Sequence, residues 1–151
     1  MPSCLYDISS LSQLEEAAKS LAATLNPGDV LALRGALGAG KTTFTQALGS
    51  ALGISQTINS PTFVLIQRYV TGRLPLVHCD FYRLGAENAS QLEPELTDIL
   101  NEGHSIVVAE WAELADFLQP AITHWLLFEH HDHHNGARTL SITEVSSLQT
   151  L

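Results

Sequence analysis

Residues Gly35 to Thr42 read Gly-Ala-Leu-Gly-Ala-Gly-Lys-Thr, a complete match to the phosphate-binding pattern G-x-x-x-x-G-K-[ST]. Glycines at these positions let backbone N–H groups close around the phosphates of a nucleotide. A lysine at the position of Lys41 reaches the β- and γ-phosphates, and a hydroxyl at Thr42 holds Mg²⁺. Leu37, Gly38, Ala39, Gly40, Lys41, Thr42 and Thr43 are therefore the candidate nucleotide-binding residues.

A phosphate loop alone binds. Hydrolysis or transfer also needs an acid that organises the metal and a group that orients the attacking atom. Ile106-Val-Val-Ala-Glu110 is an apolar run ending in a carboxylate, the form in which a strand delivers a metal ligand to a sheet edge. In His78-Cys-Asp-Phe-Tyr-Arg83, Asp80 also follows an apolar run, Leu74 to Val77. It is read either as the group that positions a water or tunes the metal shell, or as an ordinary hydrogen-bonded turn residue. Arg83 is read as a phosphate neutraliser or a solvated surface residue. Ser60-Pro-Thr62 has the short hydroxyl side chains of a γ-phosphate sensor, and equally those of a turn before a strand. Trp111 is assigned to the core. His130-His-Asp-His-His134 sits at a hairpin tip, where successive side chains alternate faces and cannot converge on one ion, so it is assigned to a solvated turn.

The elements that must position these groups follow from periodicity. Val30 to Arg34 forms a buried strand after the turn Asn26-Pro27-Gly28-Asp29. Thr42 to Leu52 forms a helix with Phe44, Ala47, Leu48 and Ala51 on one face, ended by Gly53. Strand, loop and helix thus place phosphate at a helix N-terminus. Elsewhere the pattern predicts a short strand at Tyr6 to Ile8 and a helix from about Ser10 to Leu25, with a capping box at Ser12 to Glu15 or a start two residues earlier. A hairpin of Thr62–Val70 and Leu74–Cys79 follows, then a loop over Asp80–Ala89 and a helix over Gln91–Asn101, with Pro94 in its first turn. A strand at Ser105–Ala109, a short helix at Trp111–Leu118 and a hairpin of Thr123–Glu129 with Thr139–Val145 complete the chain. The expected architecture is α/β, one domain over residues 1–151, with a partly parallel sheet and antiparallel additions.

Composition narrows the class. A hydrophobic content of 45% with 15% charged residues is that of a globular chain. The apolar runs are too short to span a bilayer, and the N-terminus shows no basic-then-apolar secretory pattern, so a cytoplasmic location is expected. Cys4 and Cys79 are too few for a disulfide framework and are read as reduced thiols. A net charge of −9, with only two lysines, Lys19 and Lys41, argues against direct, tight binding of nucleic acid.

Taken together, Gly35 to Phe44, Ser60-Pro-Thr-Phe63, His78-x-Asp80-x-Tyr82-Arg83-Leu84 and Glu110-Trp111 resemble, in order and spacing, the TsaE (YjeE) ATPases of bacterial tRNA threonylcarbamoyladenosine formation. The resemblance runs from about Leu11 to Trp111 and implies a P-loop nucleotide-binding domain. Its central parallel sheet would be extended by antiparallel strands, with helices on both faces. It implies ATP and Mg²⁺ as cofactors, Thr42 and Glu110 as metal ligands, Lys41, Asp80 and Glu110 as catalytic residues, and Thr62 in a switch-like segment. Ser10 and Arg138 are weaker candidates for contacts to the base. The family's partners are the TsaB and TsaD proteins, through which it reaches tRNA only indirectly, and this agrees with the acidic charge. Ala112 departs from the pattern, since many members carry proline there. A small-molecule kinase and a non-hydrolysing nucleotide sensor remain as alternatives. Against the kinase, seven dispersed basic residues leave little to clamp a second anionic substrate.

Overall fold

Alternation along four short strands decides which helices each face of the sheet receives. The computed structural model describes residues 3–36, 38–59, 65–131 and 136–145. Its strands are β1 (Ser3–Asp7), β2 (Val30–Arg34), β3 (Ile66–Tyr69), β4 (Leu76–Asp80), β5 (Ile106–Glu110), β6 (His124–His131) and β7 (Ala137–Glu144). Its helices are α1 (Leu11–Ala22), α2 (Lys41–Ala51), α3 (Gly85–Asn88) and α4 (Glu93–Glu102), with 3₁₀ turns at Ala89–Leu92, Ala112–Leu114 and Asp116–Ala121. Along β2, Leu31 and Leu33 enter one core while Val30 and Ala32 enter the other. On β5, Ile106 and Val108 oppose Val107 and Ala109 in the same way. The first core takes Leu14, Ala18 and Leu21 of α1 with Phe44 and Leu48 of α2. The second takes Leu96 and Ile99 of α4 and Leu118. Each such side chain contributes about 1.5–3 kcal/mol by leaving water.

The seven strands form one sheet in the order β1-β7-β6-β2-β5-β4-β3. β2 runs parallel to β5 and β6, and β4 runs parallel to β5. Antiparallel pairs extend both sides, β6 with β7 and β7 with β1 on one, β3 with β4 on the other. This is the central parallel sheet with antiparallel additions and helices on both faces that the sequence implies.

Local differences have physical causes. The capping box at α1 is formed by Ser10 and Gln13 rather than Ser12 and Glu15, since the Ser10 hydroxyl accepts from the Gln13 N–H (3.1 Å) and the Ser10 N–H donates to Gln13 Oε1 (3.0 Å). In the first hairpin the described part of the leading strand is only Ile66–Tyr69. The segment after β5 is a pair of 3₁₀ turns instead of an α-helix: Trp111 has φ 58°, outside the helical region, and Pro120 lies within the second turn. β4 runs on through Asp80, so the expected loop begins one residue later and itself contains α3. Pro94 stands in the first turn of α4, where its missing N–H is harmless.

Candidate functional site

The cleft sits at the C-terminal ends of β2, β4 and β5, where open α/β sheets bind ligands. β2 ends at Arg34 and hands the chain to the glycine loop. Gly35 passes close to β6. A Cβ there would stand 2.8 Å from the Phe128 carbonyl oxygen, which excludes any side chain without backbone movement. Gly40 precedes α2 at φ 108°, a conformation L side chains rarely adopt. The turn aims the start of α2 at the cleft, and no side chain caps that helix. Its first backbone N–H groups are left for an anion, with the positive end of the helix dipole behind them.

Lys41 is 5% exposed. Its ammonium donates to the Gly35 carbonyl at 2.6 Å and lies 4.3 Å from the centre of the Trp111 ring. Burial lowers its pKa, while Glu110, Asp80 and Glu113 pull it back up. The lysine is thus a desolvated cation held against a ring face by surrounding carboxylates.

Asp80 and Glu110 are register partners on adjacent parallel strands, so both project to the α1–α2 side of the sheet. Asp80 accepts a hydrogen bond from the Tyr82 N–H at 2.9 Å. Burial raises the pKa of its carboxyl and Glu110 adds to the rise, against the opposing hydrogen bond from Tyr82. Glu110 is 3% exposed, and its Oε2 lies 2.6 Å from Nε2 of the buried His78.

Lys41, Thr42, Thr43, Asp80 and Glu110 all line one cleft of about 230 Å³ together with Gly38, Gly40, Tyr82, Trp111 and Arg138. A larger groove between α1 and α2 contains neither carboxylate. Most of the sequence candidates therefore converge; Ala39 is buried in the first core and does not line the cleft, and Leu37, the Ser60-Pro-Thr-Phe63 segment and Asp132 to His134 lie outside the described residues. Trp111 is partly buried and packs against the second core, and it also borders the cleft: its ring lies over Lys41 and meets Tyr82 at 5.0 Å. Arg138 borders the cleft, whereas the Ser10 hydroxyl is committed to capping α1. Arg83 is exposed and lies outside the cleft lining. Residues singled out too little by sequence are Trp111, Tyr82 and His78. Their signal was proximity, since each lies within two positions of a candidate carboxylate.

Among the residues lining the cleft are the threonines Thr42 and Thr43 and the carboxylates Asp80 and Glu110, hard oxygen donors of the kind Mg²⁺ takes. Asp80 and Glu110 stand side by side as register partners on β4 and β5, two acidic side chains whose charges a divalent cation would relieve. The residues present fit the ion.

Strand, glycine loop, helix and strand-end acids define a P-loop α/β fold. A profile for the family described as threonylcarbamoyl adenosine biosynthesis protein TsaE matches residues 8–140, and the chain belongs to that family. It is 46% identical over 99 residues to the tRNA threonylcarbamoyladenosine biosynthesis protein TsaE of Bacillus subtilis, an alignment covering 66% of this chain and 60% of the relative. The chain thus spans about 60% of that relative's length. The protein of the same name from Rickettsia bellii is 35% identical over 114 residues, covering 75% of this chain and 77% of the relative. The crystal structure of Bacillus subtilis YdiB superimposes with a TM-score of 0.75 at 29% identity, covering 97% of this chain and 88% of that one.

Proposed function

We propose that this chain is the Mg²⁺-dependent ATPase component of threonylcarbamoyladenosine formation in tRNA, acting on a transferase complex of TsaB and TsaD proteins. The observation that carries the reading is the convergence of Lys41, Asp80 and Glu110 at the uncapped start of α2. Family membership directs it to tRNA modification.

In this reading the loop and first-turn N–H groups bind the β- and γ-phosphates, and Lys41 swings its ammonium from the Gly35 carbonyl onto them. Thr42 and Glu110 hold Mg²⁺, which supplies positive charge to the phosphate oxygens when bound. Asp80, paired with Glu110 in register, orients the attacking water. Trp111 and Tyr82 wall the cleft and limit water around Lys41. A net charge of −9 disfavours a direct grip on tRNA and supports a role through partner proteins in the cytoplasm. Among the described residues no helix is long and apolar enough to cross a membrane.

The test is Mg-ATP hydrolysis by the pure chain, with and without the TsaB–TsaD complex, with Lys41→Ala as the blank. Stimulation by the complex is expected. Equal rates with and without it would refute the partner assignment and leave only the nucleotide site.

A further inference from the structure

We propose that His78 is the positioning residue of Glu110, holding one carboxylate oxygen so that the other is presented to the cleft. The inference rests on the reading of Glu110 as a Mg²⁺ ligand.

His78 lies two residues before Asp80 on β4, and so on the same strand face. Its register partner is Val108, two residues before Glu110 on β5. The imidazole therefore sits one step deeper in the sheet than the carboxylate pair and reaches diagonally to Glu110. The contact from Nε2 to Oε2 is 2.6 Å, with side-chain exposures of 0% and 4%. Among the described residues no hydrogen bond occupies Oε1 of Glu110, and Glu110 lines the cleft.

The hydrogen count fixes the direction of the bond. A carboxylate only accepts, so a neutral ring with its proton on Nδ1 would set two lone pairs against each other at 2.6 Å. Among the described residues Nδ1 has no hydrogen-bond partner, so a proton there would be stranded. The arrangement that satisfies the chemistry has the imidazole donating Nε2–H to Oε2. A rigid ring with one donor, wedged between strands, fixes the plane of the carboxylate. Ligating carboxylates are commonly held by such partners, whose loss costs 10–100-fold in metal affinity. A histidine serving only to fill the core would have no such effect on metal.

The experiment uses the full chain loaded with ADP and titrated with Mn²⁺, free ion being read by electron paramagnetic resonance. His78→Ala is expected to raise the Mn²⁺ dissociation constant about 10–100-fold. Its affinity for ADP in EDTA should match wild type. His78→Gln, whose amide nitrogen stands near the Nε2 position, should recover most of the loss, whereas His78→Asn, whose amide stands near Nδ1, should not. An unchanged Mn²⁺ constant in His78→Ala, or equal behaviour of the Gln and Asn variants, overturns the inference. Failure of the underlying reading has a different signature: Glu110→Ala would then bind Mn²⁺ as tightly as wild type. Nitrogen-15 NMR of the wild-type imidazole provides a check that no folding defect can spoil. The Nε2–H tautomer is expected at His78, and an Nδ1–H tautomer overturns the proposal.

Discussion

The two faces of the sheet are built from the same strands yet bury different chemistry. Lys41, Thr45, His78, Glu110 and His124, the buried polar residues among those described, all belong to the α1–α2 side. The α4 side takes Val77, Cys79, Val107, Ala109, Leu96, Ile99 and Leu118 without one buried charge. Since burying polar groups costs free energy unless they are paired, the first face gives up stability to hold a reactive arrangement and the second supplies it. The difference teaches that the buried polar groups among the described residues gather in one layer, so damage to each face should show in a different measurement.

Lys41→Ala should break the functional face most completely. Turnover is expected to fall about 10²-fold or more, because the lysine places charge where it develops in the transition state. Steady-state hydrolysis with the protein's fold checked by circular dichroism measures this, and normal turnover would remove Lys41 from the mechanism. On the opposite face, Leu96→Ala should cost about 2–5 kcal/mol of stability by opening a cavity. Urea denaturation reads the loss, and turnover per folded molecule should not move; if it does, the faces are coupled and the comparison is wrong.

Asp80→Asn sharpens the comparison with the smallest effect. Burial, with Glu110 adding to it, raises the Asp80 pKa, so its ionised form is disfavoured in the folded state. Removing that charge should stabilise the protein at neutral pH, read as a higher melting temperature. The variant's advantage should shrink as the pH falls through the raised pKa, where wild-type Asp80 becomes neutral too. Turnover should fall although stability rises. A lower melting temperature at neutral pH would show that the carboxylate supports this face rather than straining it.

Where chemistry depends on neighbours in sequence, the residues were enough. The phosphate loop, β2 before it and α2 after it are one continuous string, and the apolar run of β5 ends on Glu110 as its pattern predicts. What depends on register was not legible. The meeting of His78 with Glu110 joins residues 32 positions apart and requires β4 and β5 to pair at one particular offset. The core packing of Trp111 was legible from its apolar ring, but its contact with Lys41 was not, since no local signal announces the left-handed backbone found there. The cap of α1 moved by two residues because both serines are competent, and only the geometry of the entering chain chooses Ser10.

The burial of Cys79 has a practical corollary in thiol chemistry. That thiol is fully enclosed, and burial pushes its pKa far above the usual range, so neither access nor thiolate is available to a reagent. Cys4, by contrast, is exposed on β1 at the sheet's outer edge. With β7, β6 and β2 intervening before β5, roughly 19 Å of sheet separates its strand from that of Glu110. A maleimide dye is therefore expected to attach at one place on the native protein, distant from Glu110, with no cysteine engineered in or out.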